Sequence, residues 1–317
     1  MGEFDLIDRF FKRPARRSPL GVGDDCALLA PAPGMQLAVS SDMLVEGRHF
    51  LSTVDARRLG HKCLAVNLSD LAACGARPLA FTLALSLPQA DARWLEPFSQ
   101  GLLALADAHD CELVGGDTTR GPLNICITVF GEVPAGQALL RSGARAGDEL
   151  WVSGHTGDAR LALEVFRGRL SVPQAAFDAA RERMELPTPR VALGQALRGI
   201  ATAAVDISDG LLGDLGHILR QSGLGAVIDT DAAATLPATG AALTPAQRLE
   251  LALAGGDDYE LAFTAPATRR EAVLAAARTA GTRVTCIGHT EAAAGLRLVD
   301  GQGRAVEGRF ASWDHFA

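Results

Sequence analysis

Three times in this chain a short apolar run ends in small or polar residues and then an aspartate. Leu37-Ala38-Val39 runs into Ser40-Ser41-Asp42, Glu112-Leu113-Val114 into Gly115-Gly116-Asp117, and residues 201–205 into Asp206-Ile207-Ser208-Asp209-Gly210. Apolar runs of this length read as strands that cross a core, so each aspartate is expected where a strand leaves it. In open α/β sheets ligands gather at such strand ends, and carboxylates with hydroxyls suit hard cations such as magnesium. Two carboxylates about 4 Å apart repel by roughly 4 kcal/mol at an effective dielectric near 20. Several acids can therefore converge only if divalent cations neutralise them; otherwise they stand apart.

Around these runs the chain alternates strand and helix signals. Phe4, Ile7, Phe10 and Phe11 follow helical spacing. Cys26–Leu29 and Gln36–Ser40 read as strands joined through Pro31-Ala32-Pro33-Gly34, which predicts a hairpin. A helix is expected from about Asp55 to Cys74, stopped by Gly75 and Pro78. A buried strand at Leu79–Leu87, a helix over 91–109, and strands at Cys111–Val114 and Leu123–Val133 complete a β-β-α-β-α-β-β order. After a connection rich in Gly, Ala and Arg over 134–148, Leu150-Trp151-Val152 opens a second series. At 317 residues the chain exceeds one ordinary core. The fold class predicted is α/β (α+β) in two domains, 1–140 and 141–317. Gly23-Asp24-Asp25, Gly115-Gly116-Asp117 and Gly255-Gly256-Asp257-Asp258 echo one another, either as common Gly-Asp turns or as a trace of duplication.

Asp70 is the most informative single acid. Leu59, Cys63, Val66 and Asp70 are spaced 4, 3 and 4, so an aspartate shares a helix face with apolar residues. A buried carboxylate is costly without a partner, and the partner is a metal ion, a neighbouring helix end or Arg77. Ser208 or Asp209 could cap a helix over 211–220, but a cap does not explain Asp206. Asp24 and Asp25, taken alone, read as turn residues.

The balance of charge narrows the partners. A formal charge of −7 argues against nucleic acid or an anionic membrane, both of which are bound through excess Lys and Arg. Lys12, Arg13, Arg16 and Arg17 form the local exception, a solvated helix end or an anion site. Leu79–Leu87 is about half the ~20 apolar residues that span a bilayer, so no membrane segment is expected. Glu3 and Asp5 stand where a secretion signal carries basic residues, and the six cysteines form no C-x-x-C pair. The expected compartment is the cytoplasm, with the thiols reduced and packed as small hydrophobes. The chain has two lysines, Lys12 and Lys62, and neither stands in a G-x-x-x-x-G-K-[ST] loop or a V-A-I-K strand. Phosphate chemistry here must use another device.

Taken in order, Gly21-Val22-Gly23-Asp24-Asp25, Ser41-Asp42-Met43-Leu44-Val45-Glu46-Gly47-Arg48-His49-Phe50, Val66-Asn67-Leu68-Ser69-Asp70, Gly115-Gly116-Asp117-Thr118-Thr119-Arg120, Asp206-Ile207-Ser208-Asp209-Gly210 and Gly255-Gly256-Asp257-Asp258-Tyr259-Glu260-Leu261 resemble the thiamine-monophosphate kinase family. Single motifs are shared with aminoimidazole ribonucleotide synthetase, selenophosphate synthetase and HypE. His49-Phe50 and the Gly255–Leu261 segment point to the thiamine branch. The resemblance implies an aminoimidazole ribonucleotide synthetase-like fold, an N-terminal domain that pairs in a homodimer, ATP in a cleft between domains, and several Mg²⁺ ions. It implies Asp25, Ser40, Ser41, Asp42, Asp70, Asp117, Asp206 and Asp209 as metal ligands. It further implies Gly116, Asp117, Arg141 and Ser208 at ATP, and His49, Asp257 and Trp313 at thiamine monophosphate. Ser41, Asp257 and Trp313 stand where relatives often have Thr, Glu and Tyr; the shorter Asp257 carboxylate puts its direct contact in question. Without the resemblance His49 reads as a surface or half-buried histidine, Arg141 as a linker charge and Trp313 as a packing residue.

The acceptor implied is a phosphate monoester with a second pKa near ~6, mostly dianionic at pH 7, so its oxygen attacks without a general base. That predicts in-line transfer of the γ-phosphoryl group with no phosphoenzyme, with Asp42, Asp70, Asp117 and Asp206 at the centre of the chemistry. The competing readings are a superfamily member acting on another small acceptor, a nucleotide- and metal-binding regulator without turnover, and a metal phosphohydrolase.

Overall fold

The computed structural model describes residues 2–23, 25–308 and 310. The chain divides into two compact units. One holds the residues up to Leu71 with Ala76–Gly136; the other holds Ala72–Gly75 with the chain from Gln137 onward.

The first unit contains α1 (Glu3–Phe10), β1 (Met35–Val45), α2 (Ala56–Ala73), β2 (Arg77–Leu87), α3 (Ala92–Ala108), β3 (Glu112–Arg120) and β4 (Asn124–Pro134). Its sheet has the order β1-β4-β2-β3, with β2 and β3 parallel and the other pairs antiparallel. Alternation puts Phe81, Leu83 and Leu85 of β2 and Ile125, Ile127 and Val129 of β4 into the core, where Leu64, Leu68 and Leu71 of α2 and Leu95, Phe98 and Leu102 of α3 are also buried. Helices α2 and α3 meet through two glycines. A methyl group at Gly60 would stand 2.0 Å from the Phe98 carbonyl oxygen, and one at Gly101 would stand 1.8 Å from that of Arg57. Asp91 opens α3 by accepting from the Arg93 amide at 2.9 Å.

The predicted hairpin over 26–40 does not form. Leu28 bridges Leu20, while β1 pairs along its whole length with β4, from Met35 opposite Pro134 to Val45 opposite Asn124. Pro31 and Pro33 supply no N–H and cannot extend a ladder. β1 is thus an edge strand whose outer face leaves Leu37, Val39 and Met43 exposed. Asp42 and Asp117 also differ from expectation, lying inside β1 and β3 rather than at their ends; Asp206 does end its strand. β3 continues through the glycines because Val114 bulges out where Phe81 faces Leu113 and Thr82 faces Gly115.

The second unit contains β5 (Asp148–Ser153), α4 (Asp158–Phe166), α5 (Gln174–Glu185), α6 (Val191–Ala196), β6 (Ala203–Asp206), α7 (Leu211–Ser222), β7 (Gly225–Asp229), α8 (Thr230–Ala233), α9 (Pro245–Ala254), β8 (Leu261–Pro266), α10 (Arg270–Thr279), β9 (Val284–Glu291) and β10 (Gly295–Val299). The sheet order is β10-β7-β9-β5-β8-β6. One face packs Leu150, Val152, Val205 and Ala262 with Leu215 and Ile218 of α7. Trp151 and Phe263 stack with ring centroids 6.4 Å apart, and the Arg270 guanidinium lies over the Trp151 ring. Thr244, Pro245 and Gln247 start α9 with a reciprocal capping box.

Among the described residues no helix is long and apolar enough to cross a membrane. Cys63 and Cys111 are buried as expected of small hydrophobes, and burial pushes both thiols far up. Cys26 departs from that expectation and is exposed, because its segment joins no sheet.

Candidate active site

In the first unit the even-numbered residues of β1 face α2. The Ser40 hydroxyl donates to Asp70 Oδ2, and the Asp42 amide donates to Asn67 Oδ1 at 3.1 Å. Asn67 is fully buried and returns its own Nδ2–H to the Cys63 carbonyl at 3.0 Å, one helical turn back. Helix α2 thus presents Asn67, which was not on the face read from the sequence, together with Asp70 three residues on. Arg77, the alternative partner considered for Asp70, pairs with Glu132 instead. The three residues Ser40, Asp42 and Asp70 are brought to one place. Their neighbour Ser41 faces the other side of the strand, where its hydroxyl meets Thr128 Oγ1 at 3.0 Å and the Ile127 carbonyl at 3.1 Å.

Gly116 and Asp117 lie in β3 beside Leu83 and Ala84 of β2. Gly116 has φ of 148°, and a Cβ there would stand 1.9 Å from the Leu83 carbonyl oxygen, so the close approach of the two strands requires glycine. Asp117 is exposed, as is Asp25 in the segment before β1. His49 follows β1 in a tight loop; its Nδ1 accepts from the Val45 amide at 3.0 Å, which leaves Nε2 to carry the ring proton.

In the second unit the loop after β6 and the segment before β8 are laced together by backbone bonds. The Asp257 amide donates to the Ser208 carbonyl at 2.7 Å, Tyr259 to Ile207 at 2.9 Å, and Ile207 to Glu260 at 2.8 Å. Asp206, Ser208, Asp209 and Asp257 are therefore neighbours along one short ladder. Asp257 and Tyr259 take left-handed φ values of 70° and 53°, strained for side chains with a Cβ. They are held by the residues between and after them. Asp258 accepts from the Gly157 amide at 2.8 Å, and Glu260 accepts from Ser153 Oγ and Arg190 Nε, each at 2.6 Å. Burial raises the Asp258 carboxyl, and the nearby Asp158 and Glu260 charges add to the effect.

The sequence allowed Ser208 or Asp209 to cap the following helix, and neither does. Gly210 occupies the cap position of α7 without a side-chain bond, and Asp214 reaches back from the first turn. Its Oδ2 accepts from the amides of Ser208, Asp209 and Gly210 at 3.1, 3.0 and 3.1 Å. Burial raises its carboxyl to about 6, helped by the Asp209 charge and opposed by those three donors. Arg141 is exposed; burial first, and then the positive charges of Arg141 and Arg220, lower the pKa of His217 on α7. Trp313 lies outside the described residues. Asn67, Asp214, Asp258 and Glu260 were missed as organising residues. The signal for Asn67 was a polar side chain in an apolar helix one turn from Asp70; the others carry none beyond belonging to the motifs or lying near them.

Among the described residues no group of three or more His, Cys, Asp or Glu side chains is gathered to hold a metal ion. The donors that are assembled, Ser40, Asp42 and Asp70, offer only oxygens, the chemistry of magnesium rather than of zinc.

Two family models match the chain in tandem, the AIR synthase related protein N-terminal domain over residues 23–133 and its C-terminal domain over 145–301. The chain belongs to the AIR synthase related family, a two-part α/β class. Within that class it belongs to the thiamine-monophosphate kinases. The Salmonella typhimurium thiamine-monophosphate kinase is 49% identical over 100% of this chain and 98% of the relative. The crystal structure of thiamine-monophosphate kinase from Stenotrophomonas maltophilia K279a matches with a TM-score of 0.86 at 46% identity, covering 96% of this chain and 98% of that one. A structure of AaThiL complexed with AMPPCP and TMP matches with a TM-score of 0.75 at 29% identity, covering 90% and 89%.

Proposed function

We propose that this protein phosphorylates thiamine monophosphate to thiamine diphosphate at the expense of ATP. The observation that carries the reading is similarity to thiamine-monophosphate kinases along the whole chain, with no motif left outside the matched length. AaThiL, complexed with AMPPCP and TMP, supports ATP and thiamine monophosphate as the two substrates.

The acceptor phosphate is mostly dianionic at pH 7 and attacks the γ-phosphorus in line, with ADP leaving and no phosphoenzyme. What the chain must do is hold two polyanions in register. Asp25, Ser40, Asp42, Asp70, Asp117, Asp206 and Asp209 would hold magnesium, and Ser41, whose hydroxyl is turned to Thr128 and Ile127 on the opposite face of β1, would have to swing that hydroxyl away to join them; bound magnesium would neutralise the phosphates and the acids around them. Gly116, Arg141 and Ser208 serve ATP, the glycine by letting backbone approach closely. His49, Asp257 and Trp313 serve thiamine monophosphate, His49 with a fixed ring orientation and Asp257 on its strained turn. Residues 1–140 form the metal- and ATP-binding part and 141–317 complete the ATP and substrate sites. The exposed Leu37, Val39 and Met43 on the edge strand β1 support pairing of the N-terminal part with its twin in a homodimer. The compartment is the cytoplasm.

The test is incubation with Mg²⁺, ATP and thiamine monophosphate followed by mass analysis. Thiamine diphosphate and ADP in equal amounts are expected. Phosphate released without thiamine diphosphate refutes the kinase reading, and a labelled phosphoenzyme trapped in turnover refutes direct transfer.

A further inference from the structure

Among the described residues of 14–34 there is no helix and no strand, only isolated bridges such as Leu20 with Leu28, yet Asp25 sits in their midst. Two glutamates of the sheet hold the two roots of this segment. Glu112, the first residue of β3 and 7% exposed, accepts through Oε1 from the amides of Arg16 at 2.7 Å and Arg17 at 2.9 Å, and through Oε2 from that of Ser18 at 2.9 Å. Glu132 in β4, 1% exposed, accepts through Oε2 from the Ala32 amide at 2.9 Å and through Oε1 from Arg77 Nε at 3.0 Å.

Buried carboxylates are retained only where charged partners or N–H donors meet them, and here most of the donors belong to the backbone of the segment. Burial alone would raise both carboxyls; the donors more than offset it and hold both below the usual glutamate value. Apolar packing does not fix the first root. A cavity of about 450 Å³ lies there, lined by Arg13, Pro14 and Ala15 where the segment begins and by Leu103, Ala106 and Cys111 of the body. The ion pair of Arg13 with Asp107 is about half exposed and contributes little, while Arg17 pairs with Asp110 and reaches the Leu79 and Asp110 carbonyls from the side of the segment that Glu112 holds. The two glutamates are the buried charged groups that clamp the backbone of the segment at both ends.

We propose that Glu112 and Glu132 are positioning residues that hold the Asp25 loop ready for a divalent cation. This rests on the reading of Asp25 as a metal ligand. Both glutamates act through backbone at residues 16–18 and 32, one step further out than the partners that bond a metal ligand directly, whose loss weakens metal affinity about ten- to hundredfold.

The test compares the wild-type protein with E112Q, E132Q and D25N. Magnesium binding to the protein saturated with a non-hydrolysable ATP analogue is measured by calorimetry, and the magnesium dependence of turnover is measured with both substrates saturating. Each glutamine variant should weaken magnesium binding about tenfold and raise the magnesium concentration for half-maximal rate by the same factor, with kcat at saturating magnesium within about twofold of wild type. A lowered melting temperature with unchanged magnesium affinity in both glutamine variants would make the clamps merely structural and overturn the proposal. D25N that binds magnesium as wild type does would instead overturn the assignment of Asp25. Should E132Q fail to fold, E112Q decides, since two of the three residues that donate to Glu112, Arg16 and Arg17, are exposed.

Discussion

The pair Arg190 and Glu260 underlies the segment that carries Asp257, and its removal one partner at a time gives a sharp prediction. Glu260 has 4% side-chain exposure and Arg190 17%. In R190M the packing volume is largely kept, but the carboxylate keeps only Ser153 Oγ at 2.6 Å and the His155 amide at 3.3 Å. An uncompensated buried charge of this kind costs about 3–5 kcal/mol. For a unit of this size, at roughly 2–4 °C per kcal/mol, the melting temperature falls by about 6–20 °C. The double variant R190M/E260Q removes both charges and should recover at least half of that loss, because the penalty lies in the orphaned ion rather than in the missing attraction. Calorimetric unfolding of wild type, both single variants and the double variant measures the coupling. A loss under about 1 kcal/mol in R190M, or a double variant as unstable as the sum of the singles, refutes the reasoning.

Asp214 carries a pH signature. Its folded value of about 6 lies above the ordinary 3.8, so its contribution to stability is fully present below about pH 4 and is lost as pH rises through 6, roughly 3 kcal/mol in all. In metal-free protein, D214N should remove that component, and identical pH slopes for wild type and D214N between 4 and 7 would contradict the assignment. Gly60→Ala should destabilise by about 1–3 kcal/mol because its methyl meets the Phe98 carbonyl. Gly216→Ala, whose methyl meets only the mobile end of Arg220, should stabilise by roughly 0.5–1 kcal/mol; chemical denaturation of the two variants tests the contrast. Asp42→Asn should cut kcat by orders of magnitude while leaving the melting curve intact; near-normal turnover removes Asp42 from the metal site.

The sequence alone determined the helices and strands whose signals are local. The helix expected over 55–74 is α2 at Ala56–Ala73, that over 91–109 is α3 at Ala92–Ala108, and the apolar runs near 79–87 and 123–133 are β2 and β4. Periodicity and stop signals depend on neighbours in the chain, so these are legible without a partner. The α/β class and the family followed from the same order of elements and motifs. Tertiary structure decided what local signals cannot carry. β1 takes β4 rather than 26–29 as its partner, because strand pairing is a contact between segments distant in the chain that local signals do not specify. Asp42 meets Asn67 and Ser40 meets Asp70 only after β1 has settled on α2. The loop after β6 is organised by Asp214 rather than by its own Ser208 or Asp209, and Asp257 is bent into a left-handed turn by anchors on other elements. Each of these hydrogen bonds satisfies a buried or half-buried donor or acceptor across space, a demand that the sequence states but only the folded chain can assign to a partner.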